Sequence, residues 1–159
     1  MAPPKKSKPL DAQGGREAAL RLLSRREHAA AELQFKLSRR GLDAAAASEV
    51  VGAMADAGWQ SDERYAEMLV RNRIEQGYGP LRIEYELESA GVDRAGVVAA
   101  LAAADADWAE RCAALQQRRF KGPPLTAQDW QKQYRFLASR GFSAAQVRAA
   151  LKGPAEPLD

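Results

Sequence analysis

Three segments of this 159-residue chain interrupt a helical pattern in the same way and at the same interval. They read Leu37-Ser38-Arg39-Arg40-Gly41-Leu42-Asp43, Leu87-Glu88-Ser89-Ala90-Gly91-Val92-Asp93 and Leu137-Ala138-Ser139-Arg140-Gly141-Phe142-Ser143, with the glycines 50 residues apart. In each, a leucine lies four residues before the glycine, an apolar residue follows it, and an Asp or Ser comes next. A glycine there takes the left-handed backbone that stops a helix, and the following side-chain oxygen caps the next one. Ten residues past each glycine an apolar residue returns, as Val51, Leu101 and Leu151. Self-similarity at such a period marks a repeat array, so the chain reads as three copies of one helical unit. An array offers a contoured surface and no enclosed pocket, which points to binding a macromolecule before catalysis.

Each unit reads as three helices with the glycine turn between the second and third. The first repeat opens with a short helix over about Arg16 to Leu23, and Ser24-Arg25-Arg26-Glu27 matches a capping box for a second helix reaching Arg40. Ala30, Leu33 and Leu37 form its inner stripe, and Asp43 caps a third helix with Ala47, Val50, Val51 and Met54 inside. In the second repeat, Ser61-Asp62 opens a helix with Tyr65, Ala66, Leu69 and Val70 on one stripe. Pro80 starts the next helix at a position that needs no N–H, with Ile83, Leu87 and Ala90 inward. Asp93 caps a helix expected to bury Val97, Val98 and Leu101. The third repeat begins near Asp105 and runs through Trp108, Cys112 and Leu115 to a break at Lys121-Gly122-Pro123-Pro124. Thr126 caps the following helix over Trp130, Tyr134 and Leu137, and Ser143-x-x-Gln146 opens the last over Val147 and Leu151, which Gly153-Pro154 ends. The predicted fold is all-α: three tandem three-helix, helix-turn-helix-like repeats in an elongated curved array. The predicted divisions are a disordered basic tail over 1–15, repeats over 16–60, 61–104 and 105–153, and a frayed end over 154–159.

The net charge of +3 hides a segregation. Residues 1–40 hold ten Lys/Arg against four Asp/Glu, and residues 111–159 hold nine against three. Between them, residues 62–110 hold five bases against eleven acids. Two basic ends therefore flank an acidic middle, whereas a dedicated duplex-DNA binder is more often basic throughout. No apolar run is long enough for a membrane span, the N-terminus has no secretory h-region, and Cys112 is the only cysteine, so a reducing cytoplasm is expected.

Catalytic groups are scarce. His28 and Cys112 have no local partner pattern; the first is expected on the solvated surface and the second as a buried, inert thiol. No zinc spacing or phosphate-binding glycine loop occurs, and Glu84, Glu86 and Glu88 splay around a helix instead of converging. No enzymatic role, metal or cofactor is expected. Binding candidates are clearer. Arg25, Arg26, Lys36, Arg39 and Arg40 form one basic cluster, and Arg118, Arg119, Lys121, Lys132, Arg135, Arg140 and Arg148, with Lys152, form a denser one. Both suit phosphate or acidic-protein contact. Phe35 and Tyr85 share a repeat position facing away from the inner leucines, with Arg135 in the third repeat and Ala31, Leu81 and Gln131 one turn earlier. Packing against the neighbouring repeat is the expected role of that face, with a partner anchor as the alternative. Arg64 and Arg71 share a face with Glu67 and Glu75, where pairing along the helix and recognition of a partner explain them equally well, and Arg73, close to the apolar stripe, is expected to make a buried or half-buried ion pair.

The middle repeat, Ser61-Asp62-Glu63-Arg64-Tyr65-Ala66, then Arg71-x-Arg73, then Gly77-x-Gly79-Pro80-x-Arg82-Ile83 through Tyr85 to Leu87 and Gly91-Val92, resembles the signature of the RecX family. The first repeat's Ala19-Leu20-x-Leu22-Leu23-Ser24-x-Arg26-Glu27 and the third repeat's Phe136-Leu137-x-x-Arg140-Gly141-Phe142-Ser143 resemble it too, so the likeness covers about residues 16–152. The resemblance implies a bacterial cytosolic regulator of the RecA recombinase, and a monomer is expected. Such a protein lies in the helical groove of the RecA–DNA filament and inhibits ATP hydrolysis, strand exchange and coprotease activity, modulating DNA repair, homologous recombination and the SOS response. Single- or double-stranded DNA is a further expected partner. A stand-alone nucleic-acid-binding repeat protein and a purely structural adaptor are the other readings the residues allow.

Overall fold

The computed structural model describes residues 1–3 and 9–152; among them the chain is all-helical, with nine helices and no strand. They are α1 (Ala12–Arg25), α2 (Ala30–Arg39), α3 (Ala44–Asp56), α4 (Asp62–Glu75), α5 (Pro80–Ser89), α6 (Arg94–Ala104), α7 (Trp108–Phe120), α8 (Ala127–Ser139) and α9 (Ala144–Ala150). Local chemistry sets most boundaries. The carboxylates of Asp43 and Asp93 accept from Ala46 N and Gly96 N at 2.8 and 2.7 Å, the Thr126 hydroxyl accepts from Asp129 N at 3.0 Å, and Ser143 with Gln146 closes a reciprocal capping box. Gly41, Gly91 and Gly141 hold φ of 99°, 88° and 97°, in the left-handed region. The glycine turn and the cap after it therefore fix three equivalent helix–turn–helix units.

Several expected boundaries are corrected. Residues 11–15 do not belong to a disordered tail: α1 starts at Ala12, four residues before the predicted Arg16, because the Asp11 carboxylate accepts from Gly14 N at 2.7 Å. Ser24 does not cap a helix. It lies within α1, which runs on to Arg25, and its hydroxyl donates to the Arg21 carbonyl at 2.7 Å. The next helix starts later, at Ala30, after an Ala29 that supplies no capping side chain. The predicted end at Gly153-Pro154 lies outside the described residues, as do 4–8 of the tail and the terminal segment 154–159.

The chain divides into two compact units, one of residues 1–65 with 90–92 and one of residues 66–89 with 93 onward. In the first, Ala18, Ala19, Leu33, Leu37, Leu42, Ala47, Val50, Val51 and Met54 form the core, with Leu10, Leu22 and Leu23 packed against it. The second holds a cluster of Cys112, Leu115, Trp130, Leu137, Phe142, Val147 and Leu151. Leu33, Leu37, Ile83, Leu87 and Leu137 are fully buried, as the helical stripes require. Val98 is not: it is 52% exposed, and α6 turns Val97 and Ala100 inward instead.

Candidate functional site

Each basic cluster is part framework and part open surface. In the first, Arg26 forms a fork on Glu32, with Nη1–Oε1 at 3.0 Å and Nη2–Oε2 at 2.7 Å. Those hydrogen bonds raise the Arg26 pKa. Burial alone lifts Glu32, but the bonds from Arg26 and its charge outweigh that and hold the carboxyl below its ordinary value. Lys36 Nζ lies 3.7 Å from the same carboxylate. Arg25, Arg39 and Arg40 remain exposed, Arg39 with its guanidinium 5.8 Å from the centre of the Phe35 ring.

His28 is the main correction in this region. Expected at the surface, it is only 2% exposed. Its Nδ1 lies 3.1 Å from the Arg26 carbonyl and its Nε2 lies 3.0 Å from Lys36 Nζ. A carbonyl only accepts and an ammonium only donates, so the neutral ring carries its proton on Nδ1. Burial pushes its pKa down and, helped by the charges of Arg26 and Lys36, outweighs the opposing effects of the Arg26 carbonyl and the Glu32 carboxylate. The Gln60 side chain donates to the His28 carbonyl at 3.2 Å and to Asp62 Oδ1 at 3.0 Å. Asp62 Oδ1 also accepts from Ala30 N at 2.8 Å, supplying the cap that Ala29 cannot.

The second cluster contains a ladder of alternating cations and rings. Arg82 lies 5.2 Å from the centre of Tyr78, Arg140 lies 4.2 Å from Tyr78 and 5.9 Å from Phe136, and Arg119 lies 5.3 Å from Phe136 and 5.4 Å from Phe120. Phe120 and Phe136 meet edge to face at 5.5 Å. Each stacked guanidinium satisfies the ring electrostatically while leaving N–H edges for other partners. Arg140 spends one such edge on the Gln76 carbonyl at 2.7 Å. Arg118, Lys121, Lys132, Arg135 and Arg148 are exposed, with Lys132 and Arg135 lining a shallow polar depression beside Gln128, Asp129 and Gln131.

Most of the middle-repeat motif holds the framework together. Arg64 pairs with Glu27 at 2.9 Å and donates to the Gly58 carbonyl at 2.7 Å, so its partner is not Glu67 of the same helix. Tyr65 is buried. Arg73 makes the half-buried pair expected of it, a two-bond contact with Glu86 at 2.8 and 3.1 Å, and Arg82 reaches the same carboxylate at 3.6 Å. Gly79 N donates to the Arg140 carbonyl at 2.8 Å, and a Cβ on Gly79 would meet the Gly141 carbonyl carbon and oxygen at 2.5 Å. Arg94 holds Glu84 and Glu88, which separates those carboxylates from Glu86 as the helical spacing requires. Arg71 is exposed and lines an open groove with Glu67, Glu75 and Arg111.

The outward face of α2 and α5 corrects another expectation. Phe35 and Tyr85 are not packed away: they are 62% and 69% exposed, and Leu81 is 53% exposed. Trp59 and Leu125, which belong to no repeated stripe, are exposed as well. Their signal in the sequence was faint, a large apolar residue inside a turn segment with no repeat counterpart. Cys112 is buried, and that burial pushes its thiol pKa up to about 11. Among the described residues no group of three or more His, Cys, Asp or Glu is placed to hold a metal ion, and no helix is long and apolar enough to cross a membrane.

Known proteins share this pattern along the whole array. Family models described as the first, second and third three-helix domains of RecX match residues 16–52, 61–101 and 105–151. The chain is 45% identical over 136 residues to the regulatory protein RecX of Halorhodospira halophila, covering 85% of this chain and 84% of that one. It is 43% identical over 151 residues to the regulatory protein RecX of Xanthomonas axonopodis pv. citri, covering 94% and 93%. The crystal structure of RecX from Lactobacillus salivarius superposes with a TM-score of 0.74 at 24% identity, over 87% of this chain and 93% of that one, a likeness of fold. With all three repeats matched and close relatives aligned over most of their length, the chain belongs to the RecX family of regulatory proteins.

Proposed function

We propose that this protein is a monomeric, cytoplasmic, non-enzymatic regulator that binds the RecA–DNA filament in its helical groove and inhibits ATP hydrolysis, strand exchange and coprotease activity. In that role it modulates DNA repair and the SOS response. The observation that carries this reading is the match of all three repeats, in order, to the three domains of a regulatory family. In this reading the first repeat opens with α1 at Ala12 and reaches 60, and the others span 61–104 and 105–153. The exposed cations Arg25, Arg39, Arg40, Arg118, Lys121, Lys132 and Arg135 are its polar contacts. They steer the chain onto acidic filament surface or phosphate, a contribution that falls with salt. The buried, proton-holding Cys112 offers no activated nucleophile, in keeping with a role outside catalysis.

A second reading, a stand-alone nucleic-acid-binding repeat protein, is favoured by one observation: the Arg119–Phe120–Phe136–Arg140 ladder beside exposed Arg118 and Lys121. Co-sedimentation separates the two. A filament regulator sediments with recombinase-coated single strands in preference to bare single strands or duplex. A DNA reader binds bare strands tightly and loses affinity steeply with salt. Charge reversal at Arg118 and Lys121 tests the basic surface while leaving the ring contacts of Arg119 intact. The expected result is weaker inhibition of recombinase ATPase at equal concentration and ionic strength, with an unchanged circular dichroism spectrum. Unchanged inhibition removes this cluster from the interface.

A further inference from the structure

We propose that a recess between the end of α4 and the outer face of α7 is a socket for the carboxylate of an acidic side chain on a protein partner, with Arg111 and Arg118 as the groups that hold it. The inference rests on the filament reading above and assigns one contact point within it.

The sequence builds both sides. Arg111, Ala114 and Arg118 recur at helical spacing along α7, so two cationic side chains share a face with only a methyl group between them. Across the recess α4 ends at Glu75 and the chain turns at Gly77, whose φ of 83° suits a residue without a side chain. A Cβ on Gly77 would lie 3.4 Å from Arg140 Nη2 and 3.6 Å from Arg118 Nη2, so two guanidinium groups close in on the same bare turn. The resulting cavity has a volume of about 310 Å³, with Ile74, Tyr78 and Phe142 as its apolar side and Arg111 and Arg118 as its cationic side.

The fold spends only one of these three cations. Arg140 donates to the Gln76 carbonyl at 2.7 Å, closing the end of α4, and packs on the Tyr78 ring. Arg111 and Arg118 are exposed and make no ion pair or side-chain hydrogen bond among the described residues. Glu75 lines the same recess and pairs with neither. Like charges that converge on one point repel, and an anion set between them relieves the excess. A guanidinium with all its N–H groups unspent takes a carboxylate by two parallel hydrogen bonds.

Size and charge select the kind of anion. The recess is at the small end of binding cavities, which admits a side chain and not a run of nucleotides. A phosphodiester backbone follows an open cationic track, and Glu75 would repel it here. A side-chain carboxylate brings one charge on an apolar stem, which matches guanidinium groups on one side and Ile74, Tyr78 and Phe142 on the other.

The test uses the full chain with Arg118→Gln, Arg118→Lys and Ala114→Gln, read by co-sedimentation with recombinase filaments and with bare single-stranded DNA over a range of salt, with thermal melting alongside. Ala114→Gln alters no charge and fills the recess. Arg118→Gln and Ala114→Gln are each expected to weaken filament binding about tenfold. Arg118→Lys keeps the charge but loses the fork, and falls between Arg118→Gln and wild type. Melting stays the same, since both positions are exposed, and so does bare-DNA binding. If wild type sediments with filaments and both Gln variants do so equally, the socket assignment fails while the filament reading stands. If Ala114→Gln is silent and Arg118→Gln weakens bare-DNA binding in step, lowering its salt slope by about one, Arg118 contacts phosphate and the socket is excluded. If Ala114→Gln is silent and Arg118→Gln weakens filament binding alone, the charge acts from the surface and the socket is excluded as well. A wild type that ignores filaments overturns the filament reading and the socket with it.

Discussion

The mid-turn glycines and His28 show how much a single position carries. Gly91 has φ of 88°, and a Cβ there would approach the Ala31 methyl at 3.1 Å. Gly52 lies within α3 with nothing within 4 Å of an added Cβ. Gly91→Val therefore costs about 1–2 kcal/mol from backbone strain alone, while Gly52→Ala gains up to about 1 kcal/mol of helix propensity. Opposite shifts in melting temperature check the pair; equal shifts contradict the cap assignment. His28 makes stability depend on pH with a definite sign. Its folded pKa lies below its ordinary 6.5, so below that pH the unfolded chain takes up a proton that the folded ring does not. Stability is thus full above pH 6.5 and falls as pH drops toward the folded pKa. A loss of 1 kcal/mol corresponds to about 2–4 °C of melting temperature in a chain of this size. Glu32, also depressed, adds loss of the same sign below its ordinary 4.5. Melting curves at pH 7.5 and 5.5 measure the His28 effect, and His28→Gln is expected to flatten the difference between them.

At the scale of helices, the decisive contrast is between local and distant caps. Asp43, Asp93, Thr126 and Ser143 sit immediately before the helices they cap, so the chain's own order reveals them. The start of α2 depends on Asp62, 32 residues from Ala30, and no local pattern announces it. Ser24-x-x-Glu27 offered a better local match, yet α1 ran through it. Removing Asp62 with alanine is expected to cost about 0.5–2 kcal/mol by uncapping α2. A fall in helicity and melting temperature of the full chain measures it; no change would mean that Gln60 or water replaces the carboxylate. The same distinction explains the candidate surface. The repeat period, the buried leucines and the Arg73 ion pair were legible because periodicity places them. The burial of His28, the Glu27 partner of Arg64 and the cation–ring ladder depend on segments brought together from 8 to 62 residues apart, and composition carries no trace of that. Exposure of Phe35 and Tyr85 was misread because the second face of a repeat is usually buried by its neighbour, and here it stays open.

For the molecule as a whole, the contact made by Pro9 and Leu10 with the first glycine turn has the widest reach. Leu10 N donates to the Arg40 carbonyl at 3.2 Å, as Gly79 N donates to the Arg140 carbonyl one hundred residues on. Pro9 presses on Gly41, where an added Cβ would come within 2.9 Å of its own Cβ, much as Arg82 presses on Gly141. Residues ahead of α1 thus cover the first glycine turn as the start of α5 covers the third. Loss of residues 1–10 is expected to lower the melting temperature by several degrees, since it uncovers the Gly41 turn and removes Leu10 from the core margin; an unchanged melting curve would count against that role. The third repeat is finished differently. Asp129 occupies the position equivalent to Gly79, but its N–H is already spent on Thr126, because α8 starts at Ala127, three residues ahead of the position equivalent to Pro80. The first and third glycine turns are thus closed by the same device, a backbone amide and a side chain lent from outside the helix pair that owns the turn, so the integrity of each turn is a property of two stretches of chain and not of one.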